Sequence, residues 1–147
     1  MSKEQINLNI NDCIIEGHDE CTLPTKLWYI VPYFCGQAPF CRNPNRDALQ
    51  MAKHNVVKNY LIVGVLEDFG GFLKVLETLL PKHFSKSTQA YEEFLSDAKT
   101  KGTGSLGKVK LNEKATGLLR ERMALEYEFY NFVNQIFKDV TRSLKIV

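Results

Sequence analysis

The stretch Leu61-Ile62-Val63-Gly64-Val65 decides the predicted fold, because it is a short, continuous apolar run bounded by polar neighbours. Such runs are typical of strands that are buried on both faces of a parallel sheet. Apolar residues at helical spacing predict a helix over residues 45–59 before this run and another over residues 67–80 after it. Helix, strand and helix in this order predict an α/β fold, with a parallel sheet flanked by helices.

The rest of the chain predicts three helical or extended segments and one loop. Residues 27–34 are rich in aromatic and β-branched side chains and predict an extended segment, which Pro32 restricts to an edge or a loop. Apolar spacing predicts a short helix over residues 91–98, and glycines and lysines predict a flexible loop over residues 99–108. The broad apolar stripe of residues 115–144 predicts one long helix packed against a domain.

Composition places the 147-residue chain among ordinary globular domains, with 44% hydrophobic and 24% charged residues. A net charge of +2 does not indicate a nucleic acid or another polyanion as partner, so any basic surface must come from local clustering. The longest uncharged apolar stretch, residues 60–66, is too short to span a membrane. The polar first residues do not resemble a signal peptide.

All four cysteines fall in the first third of the chain, at positions 13, 21, 35 and 41. Their even number and clustering favour two disulfides over zinc ligands or free thiols, because structural zinc sites usually have closer cysteine pairs. Three connectivities are open, and the two local pairings would close short loops. Since disulfides belong to oxidising compartments, we interpret the chain as a piece of a longer secretory-pathway protein.

The segment from Gly102 to Lys108 fits the start of a phosphate-binding P-loop, but Val109 stands where a hydroxyl residue should follow. A nucleotide-hydrolysing site is therefore not predicted. Five nearby lysines nevertheless make this region the best local candidate for binding phosphate or sulfate. The alternative is a solvated lysine loop. The lysines are Lys99, Lys101, Lys108, Lys110 and Lys114.

Other ionisable residues give weaker signals. His18, His54 and His83 are far apart in sequence and show no spacing typical of a catalytic triad or a metal site. Glu126 falls within the apolar stripe of the long predicted helix, where burying a carboxylate without a partner would be costly. We expect it to form a structural ion pair with an Arg or Lys, or to lie at the edge of the stripe.

Several stretches agree in order and spacing, as well as in identity, with one family. The chain resembles the glycosaminoglycan uronosyl 2-O-sulfotransferases, and its match is nearer to the uronyl than to the heparan sulfate subfamily. The match runs over residues 11–140 and corresponds to the C-terminal half of the family's catalytic domain. The stretches are Asn11-Asp12-Cys13, Trp28-Tyr29, Pro32-Tyr33-Phe34-Cys35-Gly36, Cys41-Arg42, Ala52-Lys53-His54-Asn55, Leu61-Ile62-Val63-Gly64-Val65-Leu66-Glu67, Leu79-Leu80-Pro81 and Glu126-Tyr127-Glu128-Phe129-Tyr130.

This resemblance implies a fold and a reaction. The fold is the C-terminal part of a P-loop-like sulfotransferase domain over residues 1–147, whose N-terminal half is absent. The reaction moves a sulfuryl group from 3'-phosphoadenosine 5'-phosphosulfate to the 2-hydroxyl of a uronic acid, without a metal. The family's donor loop and catalytic histidine come before this part, so the chain alone is expected to be inactive. The family also implies local disulfides, Cys13 with Cys21 and Cys35 with Cys41.

The resemblance also implies partners and a compartment. The partners are dermatan, chondroitin or heparan sulfate, and the compartment is the Golgi. A membrane anchor is expected only in a full-length form. Self-association of the chain is left open. Lys99, Lys101 and Gly102 are the candidate donor-binding residues. Lys101, Lys108 and Lys110 are the candidates for the polysaccharide. The alternative function is a non-catalytic, disulfide-stabilised module that binds acidic polysaccharide through residues 99–114.

Overall fold

The computed structural model of the chain describes residues 9–101 and 109–146, the side chains of residues 98–101 excepted. Within these ranges the chain is built from α-helices joined by short 3-10 turns and irregular links. In chain order they are α1 (Ile10–Glu16), α2 (Asp19–Thr22), α3 (Ile30–Cys35), α4 (Arg46–Asn59), α5 (Phe69–Leu79), α6 (Pro81–Phe84), α7 (Ser87–Lys101), α8 (Glu113–Arg122) and α9 (Ala124–Ser143).

The predicted parallel sheet is wrong for the part of the chain that the structure describes, because those residues contain no β-strand. The run from Leu61 to Val65 is the link between α4 and α5, and Leu61 is 64% exposed. A short apolar run does not by itself distinguish a strand from another partly buried segment. Here Val65 is buried within the link, and the described ranges contain no strand with which this run could pair.

The segment over residues 27–34 was predicted to be extended, and this prediction is also wrong, since α3 begins at Ile30. Pro32 is the third helical residue of α3. The N–H groups of a helix's first turn have no intrahelical partner, so a proline there removes no helical hydrogen bond. The aromatic and β-branched side chains of this segment are therefore compatible with a short helix, because tertiary contacts hold its start.

The predicted long helix over residues 115–144 divides into α8 and α9 at Met123. Helical hydrogen bonding continues across the division: the Met123 N–H donates to Leu119 at 2.8 Å, and the Tyr127 N–H donates to Met123 at 3.0 Å. The division is therefore a local distortion. The helices predicted over residues 45–59 and 67–80 are confirmed by α4 and α5, with Asn45 and Asp68 as N-cap residues.

The described residues separate into two compact units. The first comprises residues 9–60 and 109–131, and its fully buried side chains include Ile14, Val31, Leu49 and Phe129. Both disulfides lie in this unit, Cys13 with Cys21 and Cys35 with Cys41, which is the local connectivity that the resemblance implies.

The second unit comprises residues 61–101 and 132–146. Aromatic rings hold its helices together: Phe72 lies 6.4 Å from Phe137, and Phe69 lies 5.0 Å from Tyr91 between ring centroids. Glu77 on α5 accepts a hydrogen bond from the Thr88 N–H of α7 at 2.9 Å, and this bond lowers the pKa of Glu77.

Gly64 allows the link before α5 to approach Phe72 closely. A Cβ atom at position 64 would lie 2.5 Å from Phe72 Cδ2. We expect Gly64→Ala to lower the free energy of unfolding by about 1–3 kcal/mol, as overpacking does. The matched control is Gly117→Ala on α8, where a Cβ meets open space and should stabilise the helix by about 0.5–1 kcal/mol. Urea unfolding of both variants measures the two effects. Equal unfolding midpoints would contradict the close approach of position 64 to Phe72.

Candidate functional site

The predicted basic segment is only partly described. Lys99 and Lys101 were predicted to lie in a loop, but their backbone forms the end of α7, so that part of the prediction is wrong. Gly102 and Lys108 fall outside the described residues. Lys110 lies exposed in the link before α8. Of the five lysines of the basic segment, Lys110 and Lys114 are therefore those whose side chains the structure describes.

The link that carries Lys110 is attached to α1. The Asn11 side-chain amide donates to the Lys110 carbonyl at 3.2 Å, and its oxygen accepts the Asn112 N–H at 2.8 Å. Asn112 in turn caps α8, since its side-chain oxygen accepts the Ala115 N–H at 2.8 Å. Two asparagine side chains thus fix the course of the backbone from residue 110 to the start of α8. The sequence patterns assign Asn11 no role, although this residue belongs to one of the matched stretches.

Glu126 holds the start of α3. It is 3% exposed, and its carboxylate accepts backbone N–H groups of Tyr29 at 2.8 Å, Ile30 at 3.0 Å and Val31 at 3.3 Å. The expected ion pair with an Arg or Lys is wrong, because these backbone amides are the partners. A negative charge at a helix N-terminus is favoured by both the unpaired amides and the helix dipole. The signal in the sequence was an acidic residue inside an apolar stripe.

Glu128 joins α9 to α4 through two cations. The Lys53 ammonium donates to it at 2.8 Å, and the Arg46 guanidinium donates to its other oxygen. The hydrogen bond from Lys53, followed by that from Arg46, lowers the pKa of the Glu128 carboxyl below its ordinary value. Because the Glu128 side chain is 39% exposed, solvent screening limits what this cluster contributes to stability.

We expect the contribution of Glu128 to depend on pH. Because its pKa is lowered in the folded state, the stabilisation is present above the ordinary value of 4.5 and is lost as the pH falls through the lower folded-state value. Glu128→Gln should therefore melt at a lower temperature than the unmodified protein at pH 7, by about 1–3 °C. The difference should shrink as the pH falls from 7 to well below 4.5. A difference that stays constant between the two pH values would show that charge is not involved.

Residues 9–101 and 109–146 show no phosphate-binding loop. A phosphate-binding loop usually follows a strand and opens a helix, and these ranges contain no strand. They bring together no group of three His, Cys, Asp or Glu side chains that could hold a metal ion. His18, His54 and His83 are all exposed, and His18 contacts Glu16 at 2.9 Å.

None of the helices in the described ranges combines the length and apolarity that a bilayer-spanning helix needs. Gly64, Val65, Leu66, Phe69 and Phe72 line an open apolar cavity of about 250 Å³ in the second unit. None of these five described lining residues has an ionisable side chain. The first unit contains the polar contacts of Asn11, Glu126 and Glu128.

Comparison with curated proteins identifies relatives along almost the whole chain. The chain is 40% identical to uronyl 2-sulfotransferase of Mus musculus over 144 residues, covering 98% of this chain and 35% of that protein. It is 34% identical to heparan sulfate 2-O-sulfotransferase 1 of Xenopus laevis over 133 residues, covering 88% of this chain and 36% of that protein. The chain thus spans about a third of the length of these relatives. No family model matches it.

The identities also distinguish the two groups of relatives. Uronyl 2-sulfotransferase of Homo sapiens is 41% identical over 137 residues, or 93% of this chain and 34% of that protein. The heparan sulfate relative is less similar and covers less of the chain. The family resemblance that the sequence motifs indicate is therefore confirmed, including its preference for the uronyl group.

Proposed function

We propose that this chain, a relative of the glycosaminoglycan uronosyl 2-O-sulfotransferases, is the C-terminal part of the sulfotransferase domain of such an enzyme. The proposed reaction transfers a sulfuryl group from 3'-phosphoadenosine 5'-phosphosulfate to the 2-hydroxyl of a uronic acid in a glycosaminoglycan. The observation that carries the proposal is the 40% identity along 98% of the chain to a protein named uronyl 2-sulfotransferase.

Within this proposal the chain provides the acceptor side. A glycosaminoglycan carries carboxylate and sulfate groups, and exposed lysines attract such groups by charge. Lys110 and Lys114 are exposed beside the cap of α8, and Lys99, Lys101 and Lys108 are near them in sequence. We propose that Lys101, Lys108 and Lys110 contact the polysaccharide. Dermatan, chondroitin and heparan sulfate are all candidate acceptors.

The donor side is proposed to lie elsewhere in the enzyme. The general base and the phosphosulfate loop would be supplied by sequence upstream of this part, with Lys99, Lys101 and Gly102 as the donor-binding candidates from this chain. A general base must lie within hydrogen-bond reach of the acceptor hydroxyl. His18, His54 and His83 are exposed and are not proposed as this base. The Golgi lumen is the proposed compartment, in agreement with the two disulfides.

The test is transfer of labelled sulfate from the donor to desulfated dermatan and desulfated heparan. This chain is assayed beside a version extended upstream to the length of its relatives. We expect transfer by the extended protein only, and the better of the two acceptors identifies the polysaccharide. Transfer by the 147-residue chain itself would overturn the placement of the donor groups and bring His18, His54 and His83 back as candidate bases. No transfer by either protein would overturn the proposed activity.

A further inference from the structure

Asn11 makes a two-point contact with the backbone that carries Lys110. Its amide nitrogen donates to the carbonyl of Lys110, and its amide oxygen accepts the N–H of Asn112. A single side-chain amide that bonds a carbonyl and an N–H two residues apart imitates the pairing of a neighbouring strand. Both the position and the rotation of the backbone between these two residues are therefore fixed by Asn11.

The helix that carries Asn11, α1, is itself restrained. The Asn9 side chain caps α1 by accepting the Asn11 N–H at 2.9 Å, and Cys13 of the same helix is bonded to Cys21. At the other end of α1, the Ile14 carbonyl accepts a hydrogen bond from Arg122 at 3.0 Å, which ties the end of α8 to the same helix. The short helix α1 thus holds both the link before α8 and the end of α8.

Lys110 is one of the lysines that the sequence predicts to bind the polysaccharide. The Lys110 side chain is exposed, and its Cα is bonded to the carbonyl group that accepts the hydrogen bond from Asn11. A lysine is a point charge on a flexible stem, so the direction in which it presents charge depends largely on where its backbone is held. Without Asn11 the charge would remain, but it would be spread over a wider range of positions.

We propose that Asn11 is a positioning residue for acceptor binding, whose amide fixes the backbone from which Lys110 presents its ammonium group to an acidic polysaccharide. The inference rests on the proposed function, because it takes the polysaccharide as the ligand of Lys110. Asn11 acts through Lys110 and does not contact the ligand.

A double-mutant cycle on the 147-residue chain tests this inference, with dermatan sulfate as the probe and the dissociation constant measured at one fixed salt concentration. The variants are Asn11→Ala, Lys110→Gln and the two combined. We expect each single change to raise the dissociation constant by about two- to fivefold, the range of one exposed charge contact. The combined variant should bind no more weakly than Lys110→Gln alone, because neighbouring residues that act through one contact are not additive.

Two further measurements separate positioning from loss of structure. Asn11→Ser keeps a polar side chain in α1 but is too short for both contacts, and it replaces Asn11→Ala if the latter does not fold. Trypsin cleavage after Lys110 should be faster in either variant, since the Lys110 carbonyl loses its hydrogen bond. The matched control is Asn131→Ala, an exposed asparagine on α9, which should change neither binding nor cleavage.

The outcomes are distinguishable. If Lys110→Gln weakens binding while both Asn11 variants bind like the unmodified chain, the positioning role is overturned and the proposed acceptor site stands. The positioning role is also overturned if Asn11→Ala raises the dissociation constant by the same factor in the Lys110→Gln variant as in the unmodified chain. If the unmodified chain does not bind dermatan sulfate at all, the acceptor side of the proposed function and this inference both fail.

Discussion

Replacing Glu126 by alanine is expected to lower the free energy of unfolding by about 3 kcal/mol. The carboxylate accepts hydrogen bonds from the N–H groups of Tyr29, Ile30 and Val31, and Glu126 is only 3% exposed. Hydrogen bonds to a charged group contribute about 1.5–3 kcal/mol, and unpaired buried donors add a cost of their own. Urea unfolding followed by circular dichroism measures the difference.

Two variants show whether this loss comes from the cap on α3. Glu126→Gln keeps one acceptor oxygen but presents an NH₂ group to the remaining amides, so we expect about half of the loss. Glu121→Ala removes an exposed glutamate on α8 and should stay within about 0.5 kcal/mol of the unmodified chain. A midpoint for Glu126→Ala equal to that of Glu121→Ala would show that the buried carboxylate does not hold α3.

Removing the second disulfide by Cys35→Ala with Cys41→Ala is expected to lower the free energy of unfolding by about 2–3 kcal/mol. The bridge closes a short loop between residues six apart, and the stabilisation is attributed mainly to restricting the unfolded chain. Both cysteines are buried, so two sulfur atoms are also lost from the core. Thermal unfolding of the double variant, beside the unmodified chain, measures the loss.

Trp28 gives this experiment a local readout. It is the one tryptophan of the chain, it is buried, and its indole N–H donates to the Cys41 carbonyl at 2.9 Å. Loosening the Cys35 to Cys41 loop should expose the indole and shift its emission to longer wavelength. The control pair, Cys13→Ala with Cys21→Ala, should lose stability without this shift. An unchanged midpoint and unchanged emission in the first variant would contradict the account.

The sequence predicted some helices well because their signals are local. The helix now seen as α4 has an asparagine cap and an apolar stripe, and α5 has an aspartate cap and a proline directly after it. Such features act within one or two turns, so a pattern in the chain is enough to detect them.

The predicted sheet failed for a different reason. An apolar run such as residues 61–65 predicts burial, and a strand requires partner strands that the run itself does not specify. Likewise, α3 depends on a carboxylate that lies 95–97 residues away in sequence, and the link at Lys110 depends on Asn11, 99 residues away. Contacts of this kind arise from tertiary packing, which overrides local propensity.

The most direct test of the central claim is the position of the transferred sulfate. Desulfated dermatan is incubated with the labelled donor and the upstream-extended protein, and the product is then digested to disaccharides and separated. The account predicts label on the 2-hydroxyl of the uronic acid. Label on the amino sugar instead, with the uronic acid unlabelled, would contradict the assignment of this chain to a uronosyl 2-O-sulfotransferase.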